Sequence, residues 1–362
     1  MPEPSTSPAP LYPVNRRHLD TLSGELGVWQ HATLDRPDSA FGYCTDDVSR
    51  ALTVDLLQSS VIGWTAVAPS VGRHLRFLEE AATKQERRFR NFRAADGTWL
   101  EGEGSEDSHG RAMLGLSEAM AKAADPSVRE AARRLFDHGL PAARDIDCPR
   151  AMASLVIACD RAIEAGAGAS AEATFDVLTE RLAAAFGPVL DSPDWPWPEA
   201  VLTYENALLP RALIVAGQRA GVASMTNGGL RVLDWLIGIQ TSPGGDFSPV
   251  GNDGWLPRGG DKGRFDQQPI EAMALVLASV AALEAGAGER FLRSAEMAYA
   301  WFLGGNDAGL PVAIPEEGSC HDGITPGGVN GNQGAESTIA WLTALEHMRA
   351  TRTAGAIDGA RS

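Results

Sequence analysis

The chain has 362 residues, of which 44% are hydrophobic and 22% are charged, and its formal net charge at pH 7 is -16. This composition is typical of a globular protein with a sizeable core, and it excludes disordered and fibrous classes. The acidic balance disfavours nucleic acid and anionic lipid as partners, because the field of the whole molecule would repel their phosphates. A neutral substrate such as a sugar is easier to accommodate.

Apolar residues recur at spacings of three and four in nearly every segment, whereas strand-like alternation is rare, so we predict an all-α protein. The predicted helices cover residues 15–31, 46–66, 70–91, 107–124, 126–138, 147–164, 169–186, 199–220, 224–240, 268–284, 288–303 and 333–350. Prolines near the first turn mark several starts, as at Pro149 and Pro269, and glycines such as Gly166 and Gly221 mark the ends. About twelve helices pair as six hairpins.

The two ends of the chain are rich in Pro, Ser, Gly and Ala. We predict disordered tails over 1–13 and 351–362 around one domain at 14–350. The N-terminus lacks the apolar region of a signal peptide, and no run approaches the roughly 18 apolar residues of a membrane span. Four cysteines lie far apart without a C-x-x-C pair, which favours free thiols. We therefore expect a cytoplasmic protein with no membrane partner.

Six polar clusters stand just before or at the start of alternate predicted helices. They are residues 41–47, 105–111, 147–150, 195–199 with 203–206, 263–268 and 330–336. An open solenoid would instead place polar residues on concave helix faces. In a closed (α/α)6 barrel the inner, even-numbered helices would bring all six clusters to one mouth, and the long loops 92–106, 241–267 and 304–332 would form its rim.

Nine phrases along residues 41 to 345 resemble a group of bacterial (α/α)6-barrel proteins found beside or fused to glycosyltransferases and near mannoside-processing genes. The phrases are CTDDVSRA, SEDSHGRA, LTYENALLPRALI, FSPVGNDGW, RGG, RFDQQPIEA, FLGGND, CHDG and NQGAESTIAWL. The resemblance implies a carbohydrate-linked role, with a glycosyltransferase as a candidate partner. The architecture is more distantly similar to inverting glycoside hydrolases and N-acylglucosamine 2-epimerases. No phosphate-binding glycine loop occurs, which disfavours a sugar-nucleotide transferase.

The mouth clusters are rich in carboxylates, which suits inverting glycoside hydrolysis. That reaction needs a carboxylic acid and a water-activating carboxylate roughly 6.5–9.5 Å apart. Crowding splits the pKa values of neighbouring carboxyl groups, so that one stays protonated near neutrality. Asp266 and Glu336 are the leading acid and base candidates, and Asp47, Asp107 and Glu205 are the reserves. Each acid could equally cap its helix.

Sugars are bound by aromatic faces together with a few fixed polar groups. The predicted substrate-binding residues are Tyr43, Asp46, His109, Arg111, Trp197, Tyr204, Asn206, Asn252, Trp255, Arg258, Arg264, Gln267, Gln268, His321, Asp322, Asn332 and Gln333. Trp235, Trp301 and Trp341 lie within helices and are assigned to packing. Four arginines could clamp an anionic group, which leaves phosphorolysis or a uronate substrate open, or they could equally neutralise the acidic rim: Arg111, Arg150, Arg258 and Arg264.

Three alternatives use other chemistry. A sugar 2-epimerase or isomerase would use His109 and His321 as general bases. Zinc, as in lanthionine cyclases, would need Cys320, His321 and Cys44, but no paired ligand spacing supports it, and we predict neither metal nor cofactor. A non-catalytic carbohydrate-binding module would need the aromatic and amide side chains alone.

Overall fold

The computed structural model describes residues 8–359, with side chains up to residue 355. Residues 1–7 and 360–362, which belong to the predicted tails, lie outside the described residues. Twelve α-helices occur within 8–359: α1 (Arg17–Leu22), α2 (Thr45–Ile62), α3 (Trp64–Ala81), α4 (Glu106–Lys122), α5 (Pro126–Ala143), α6 (Pro149–Glu164), α7 (Ala169–Phe186), α8 (Leu208–Ala220), α9 (Ala223–Ile239), α10 (Pro269–Glu284), α11 (Arg290–Phe302) and α12 (Ala335–Gly359).

The even-numbered helices form a closed inner ring. Each packs on the next, from α2 through α4, α6, α8 and α10 to α12, and α12 packs back on α2. Helices α3, α5, α7, α9 and α11 each pack outside the inner helix that precedes them. Inner helix α10 is apolar around most of its circumference, as a helix enclosed on all sides requires. The predicted (α/α)6 barrel with even-numbered helices inside is confirmed.

Within the described residues, ten two-residue strands connect the loops in antiparallel pairs. They are β1 (Ala32–Thr33), β2 (Arg36–Pro37), β3 (Tyr43–Cys44), β4 (Phe92–Arg93), β5 (Val201–Leu202), β6 (Leu256–Pro257), β7 (Ala313–Ile314), β8 (Ser319–Cys320), β9 (Ile324–Thr325) and β10 (Gly328–Val329). Strands β3 and β5 directly precede the inner helices α2 and α8 and pair with long rim loops. The rim loops are therefore tied to the inner N-termini.

The first outer helix is much shorter than predicted. Helix α1 ends at Leu22, although apolar spacing predicts a helix over 15–31. Gly24 and Gly27 explain the difference: the backbone turns between them, with the Gly24 N–H donating to the Gly27 carbonyl over 2.8 Å. A Cβ on Gly24 would lie 2.4 Å from the Tyr43 hydroxyl. Close packing against a distant residue thus overrides the local pattern.

Part of the predicted N-terminal tail is bound to the last two helices. The Tyr299 hydroxyl donates to the Pro10 carbonyl over 2.9 Å, and Arg352 donates to the Ala9 carbonyl over 2.7 Å. The Tyr12 ring meets the Trp341 ring edge-on at 6.3 Å. Residues 9–12 are therefore packed segments rather than a free tail, which corrects the prediction for that stretch.

Several further helix boundaries differ from the predictions, and α3 covers Trp64–Ala81 where residues 70–91 were predicted. Helix α12 continues to Gly359, past the predicted end at 350 and into the predicted C-terminal tail. Helix α8 begins at Leu208 rather than near 199, because Glu205 adopts a left-handed backbone with φ of 47° that cannot continue a helix. No helix within the described residues combines the length and apolarity that a bilayer span requires.

Candidate active site

Arg50 connects two inner helices at the barrel mouth. It lies one turn into α2, and its Nε and Nη2 atoms donate to the two carboxylate oxygens of Asp46, each over 2.6 Å. Its Nη2 atom also donates to Glu336 Oε2 over 2.9 Å. The first turn of α2 and the first turn of α12 are therefore joined by one guanidinium. Such bidentate, charge-assisted contacts fix the geometry of a carboxylate.

Arg111 makes a second connection, across the mouth. Both of its terminal nitrogens donate to the Glu205 carboxylate, with Nη1 to Oε1 at 2.9 Å. The Arg111 and Glu205 side chains are each only 3% exposed. Arg111 Nε lies 3.6 Å from Asp46 Oδ1 and 3.9 Å from Asp107 Oδ2. Arg111 therefore bridges α2, α4 and the segment before α8.

Five carboxylates surround these two arginines, and we call this group the carboxylate cluster. Its members are Asp46, Asp47, Asp107, Glu205 and Glu336. Four of them were predicted as catalytic candidates and one as a substrate contact. The inner N-termini thus bring together residues separated by up to 290 positions in the chain. Glu205, held through both oxygens and buried, is suited to positioning Arg111 rather than to proton transfer.

Glu271, which was not among the predicted site residues, supports the cluster from α10. Its carboxylate accepts the backbone N–H of Glu205 and, over 3.4 Å, that of Asn206. It also accepts the Asn206 side-chain amide over 3.2 Å. These bonds hold Glu205 in its left-handed conformation. The one signal for Glu271 in the sequence is its place within the RFDQQPIEA phrase. Its hydrogen-bond partners are 65 and 66 residues earlier in the chain, so no local pattern reveals them.

Two buried carboxyl groups have strongly raised pKa values. Burial, together with the negative charges of Asp46 and Glu336, raises the pKa of Asp47 to about 7, although the Arg50 guanidinium opposes the rise. The Cys44 thiol donates to Asp47 Oδ2 over 3.1 Å. Burial also raises the pKa of Glu271 to about 7, although the N–H groups it accepts lower it. Both groups can therefore carry a proton near neutrality.

Asp107 and Asp46 respond in opposite directions to the same arginines. Burial raises the pKa of Asp107. The Arg111 guanidinium opposes this rise, and the negative charges of Asp46 and Glu205 reinforce it. Burial also opposes ionisation of Asp46, yet Arg50 and Arg111 together hold the pKa of Asp46 below its usual value. One neighbour thus stays ionised while the other retains its proton more readily. Such separation of pKa values is what acid and base roles require.

Asp266, a leading catalytic candidate, lies on the rim just before α10. Its backbone is left-handed, with φ of 48°, as is that of Trp255, with φ of 54°. The side-chain amide of Asn252 donates to Asp266 Oδ2 over 3.4 Å. Within residues 8–355 Asp266 forms no hydrogen bond or ion pair with the carboxylate cluster or its two arginines, whereas Glu336 accepts a hydrogen bond from Arg50. Strained backbone of this kind recurs at functional sites.

The accessible rim contains most of the other predicted substrate contacts. Trp255, Tyr204, Asn252, Gln268, His321, Asp322, Asn332 and Gln333 are half-buried, and Arg258 and Arg264 are exposed. The Arg150 guanidinium lies 4.8 Å from the Tyr204 ring centre. Two of the rim side chains also brace loops: Asp322 accepts the Gly334 N–H over 2.7 Å, and Asn332 accepts the Leu34 N–H over 2.9 Å.

Several predicted contacts are instead buried structural residues. His109 is fully buried and stacks on Phe89 with ring centres 5.6 Å apart, and burial lowers its pKa to about 3. Its position two residues after Asp107 turns it away from the mouth, toward α5, where it approaches Gly139. This location corrects its assignment as a general base or substrate contact.

Four other predicted contacts are also explained by packing or internal hydrogen bonds. Trp197 is 1% exposed and stacks on Trp235, and Tyr43 stacks on Trp29 with ring centres 4.0 Å apart. Gln267 is buried and accepts from Trp301 Nε1 over 3.1 Å, while Asn206 is buried against Glu271. Trp301 and Trp341 are buried, in agreement with their assignment to packing.

The zinc alternative gains no geometric support. Within the described residues no three His, Cys, Asp or Glu side chains are arranged to hold a metal ion. Cys320 is buried, and its thiol donates to the neighbouring His321 carbonyl over 3.4 Å. Burial, with Asp322 adding to it, raises the pKa of Cys320, which disfavours the thiolate that zinc would need.

No family model matches the sequence, and no curated protein matches it significantly. Solved structures are similar in fold. Cellobiose 2-epimerase from Spirochaeta thermophila has a TM-score of 0.67 at 16% identity, covering 93% of each chain. The GH76 α-mannanase from Bacteroides thetaiotaomicron has a TM-score of 0.63 at 10% identity, covering 94% of this chain and 96% of that one.

A third similar structure contains an oligosaccharide. It is an inactive variant of an α-1,6-mannanase from Salegentibacter, with two consecutive aspartates replaced by alanine, in complex with α-1,6-mannotetraose. Its TM-score is 0.59 at 11% identity, and the match covers 92% of this chain and 95% of that one. At such identities these likenesses establish a shared fold: the chain is an (α/α)6 barrel.

Proposed function

We propose that this protein is a carbohydrate-active enzyme that hydrolyses a glycosidic bond at the barrel mouth, with inversion. The observation that carries the proposal is the carboxylate cluster, in which Arg50 and Arg111 hold Asp46, Asp107, Glu205 and Glu336 together at the inner N-termini. Inverting hydrolysis uses such a pair of carboxyl groups and no other reactive side chain. The substrate class is a neutral or mildly anionic saccharide, with manno- and gluco-oligosaccharides as the first candidates.

Asp107 has the properties of the general acid. Its side chain is 24% exposed, so substrate can reach it, and its raised pKa favours the protonated form. In the proposed step Asp107 gives its proton to the glycosidic oxygen as the bond from that oxygen to the anomeric carbon breaks. Asp47 shares the raised pKa but is buried behind the first turn of α2. We therefore place Asp47 as a reserve.

Glu336 is our candidate for the general base. Its side chain is 41% exposed, and Arg50 orients one carboxylate oxygen. Glu336 would take a proton from the water that attacks the anomeric carbon from the opposite face. Asp266 remains the second candidate, since it lies on the rim loop before α10 with Asn252 orienting it. The reaction consumes one water and releases two free sugars.

The related folds support a carboxylate mechanism by analogy. In the mannanase complex two consecutive aspartates are the residues replaced to obtain the inactive variant. This chain has two consecutive acidic pairs at its mouth, Asp46–Asp47 and Glu106–Asp107. In the second pair, Glu106 accepts the backbone N–H groups of Asp147 and Cys148, which leaves Asp107 as the member free for chemistry.

Epimerisation or isomerisation is the second candidate, because several similar structures are epimerases or isomerases. That chemistry moves a proton at a carbon and commonly uses histidine bases. His109 is buried in the core, which leaves His321 on the rim as the motif histidine available for it. The proposed partner role with a glycosyltransferase and the cytoplasmic location both remain predictions.

Kinetics of three amide variants test the proposal. We expect Asp107→Asn and Glu336→Gln to lower kcat by about 10²–10⁴-fold with binding retained, because each group acts in the transition state. Asp266→Asn decides whether Asp266 or Glu336 is the base. Asp261→Asn, an exposed rim acid outside the cluster, is the matched control. NMR of the first-formed anomer should show inversion.

Three results would contradict this assignment. A free sugar that is epimerised or isomerised, with no bond cleaved, would move the chemistry to His321 and a second base. Saccharide binding by calorimetry without turnover in any assay would favour the non-catalytic binding module. If both Asp107→Asn and Glu336→Gln keep more than about a tenth of wild-type kcat, the carboxylate cluster is not the acid–base pair.

A further inference from the structure

A cavity of about 50 Å³ lies inside the barrel, beneath the carboxylate cluster. Arg50, Arg111 and Glu205 contribute to its upper wall. Glu118, seven residues after Arg111 on α4, lines its deeper part, which places that part roughly 10 Å below the mouth at 1.5 Å per helical residue. The cavity is therefore distinct from the accessible rim where a saccharide would bind.

Arg211 on α8 is the unusual member of the cavity lining. Arg50, Arg111 and Arg150, which also point inward from inner helices, each have a carboxylate partner. Arg211 has no ion-pair partner within residues 8–355, and its Nε atom is buried without a hydrogen-bond acceptor. Arg211 is half-buried, and a guanidinium that is largely removed from water without a counter-charge is costly. Burial and then the charge of Arg161 lower the pKa of Arg211, although the carboxylates of Glu118, Glu284 and Glu205 oppose the shift.

The carboxylates that line the cavity are already committed to other cations. Glu118 lies 2.8 Å from Lys122 and 3.2 Å from Arg161. Glu205 is held through both oxygens by Arg111. Neither forms an ion pair with Arg211. No described carboxylate therefore balances the positive charge of Arg211, and a bound anion could do so.

Two neutral donors on α12 face the same space. Thr343 and His347 line the cavity, and no described residue bonds to the Thr343 hydroxyl or to the His347 ring nitrogens. Burial, together with Lys122 and Arg211, lowers the pKa of His347 to about 3, so the imidazole is neutral and offers one N–H donor. A guanidinium, a hydroxyl and an imidazole N–H can therefore all donate into the same space, and the carboxylates that line it are paired with other cations.

We propose that a small monovalent anion of the size of chloride binds in this cavity between Arg211, Thr343 and His347. A cavity of about 50 Å³ accommodates one or two water-sized species, which excludes a sugar or a phosphate ester. The anion would supply the missing counter-charge and accept hydrogen bonds from α8 and α12. It would thereby link α8 to α12, the two inner helices that flank α10.

Crystals of the full chain grown without halide and soaked in sodium bromide provide the direct test. The expected result is an anomalous bromide peak within hydrogen-bond distance of the Arg211 guanidinium. Absence of a peak there, with ordered water in its place, would overturn the proposal. This readout does not depend on catalysis, so it stands or falls separately from the proposed hydrolysis.

Thermal unfolding provides the matched measurement in solution. Sodium chloride is titrated against sodium methanesulfonate, whose anion is not a sugar acid, at equal ionic strength, and chloride should raise Tm in a saturating way, by roughly 3 °C at one hundred times Kd. Arg211→Met should abolish this difference, while Arg134→Met, an exposed outer-helix arginine, should retain it. Equal chloride dependence in Arg211→Met, or a bromide peak with no chloride effect on wild-type Tm, would contradict a specific site. If Arg211→Met fails to fold, His347→Phe serves as the second variant.

Discussion

The Glu271 carboxylate accepts the backbone N–H of Glu205, a residue whose left-handed conformation directs its own carboxylate onto Arg111. A residue of α10 therefore fixes the orientation of an arginine on α4 through the backbone before α8. The same carboxylate also receives the N–H and the side-chain amide of Asn206.

Glu271→Ala should be clearly destabilising, because it leaves these buried donors without an acceptor. Unsatisfied buried groups cost about 1–3 kcal/mol each. Glu271→Gln retains an acceptor oxygen and should cost less. Chemical denaturation at pH 7 compares the two variants with wild type. Equal losses in both would show that the carboxylate does not hold the Glu205 backbone.

The buried pair of Arg111 and Glu205 should be strongly coupled. Arg111→Met leaves Glu205 buried without its cation, and breaking a buried pair costs about 3–5 kcal/mol. Glu205→Gln added to Arg111→Met should recover part of that loss, because the uncompensated charge is then removed. A double-mutant cycle by urea unfolding measures the coupling. Additive effects of the two substitutions would refute it.

Asp47 should make stability fall as pH rises toward neutrality. Burial raises its pKa from 3.8 to about 7 in the folded state, so folding favours the protonated form. The stabilisation is fully present below about pH 4 and is lost as pH rises to about 7, at up to 1.4 kcal/mol per pH unit, roughly. Asp47→Asn should flatten this slope. Some slope should remain in the variant, because the pKa of Glu271 is also raised to about 7. Wild-type and Asp47→Asn stability curves that run parallel from pH 5 to 8 would contradict the prediction.

His109→Phe should leave stability and turnover nearly unchanged. Within the described residues the buried ring nitrogens of His109 have no hydrogen-bond partner beyond a marginal contact with the Gly139 backbone, and the ring stacks on Phe89. An apolar ring of similar size should fit the same space between α4 and α5. Loss of activity with an unchanged Tm would contradict the core assignment and revive histidine chemistry. His321→Ala, on the rim, is the comparison variant.

The ring of inner helices could be predicted because its signals are local. Apolar periodicity identified the helices, and polar clusters at alternate helix starts implied a common mouth. The positions of individual side chains around each helix were partly readable as well. Asp107 and Arg111 are four residues apart and share a face, whereas His109, two residues after Asp107, points to another. Applied to this motif, that spacing would have excluded His109 beforehand.

Other features depend on contacts between distant segments. Helix α1 ends early because Gly24 packs under Tyr43, and Glu271 matters because its partner is the backbone 66 residues earlier. Trp197 lies in a Pro-rich segment typical of loops, yet it fills the core beside Trp235. No local pattern predicts such pairings. The cluster of carboxylates could therefore be predicted from the sequence, whereas the residues that orient these carboxylates could not.

Residues 9–12 lie against α11 and α12, and Arg352 near the end of α12 bonds to the Ala9 carbonyl. Residues 9–12 thus contact the later part of α12, away from the first turn of that helix at the mouth. Because the ring also closes through α12 and α2, the order of the hairpins around the axis has no fixed beginning. A circularly permuted chain, joined between these segments and opened in an outer loop, should rebuild the same mouth.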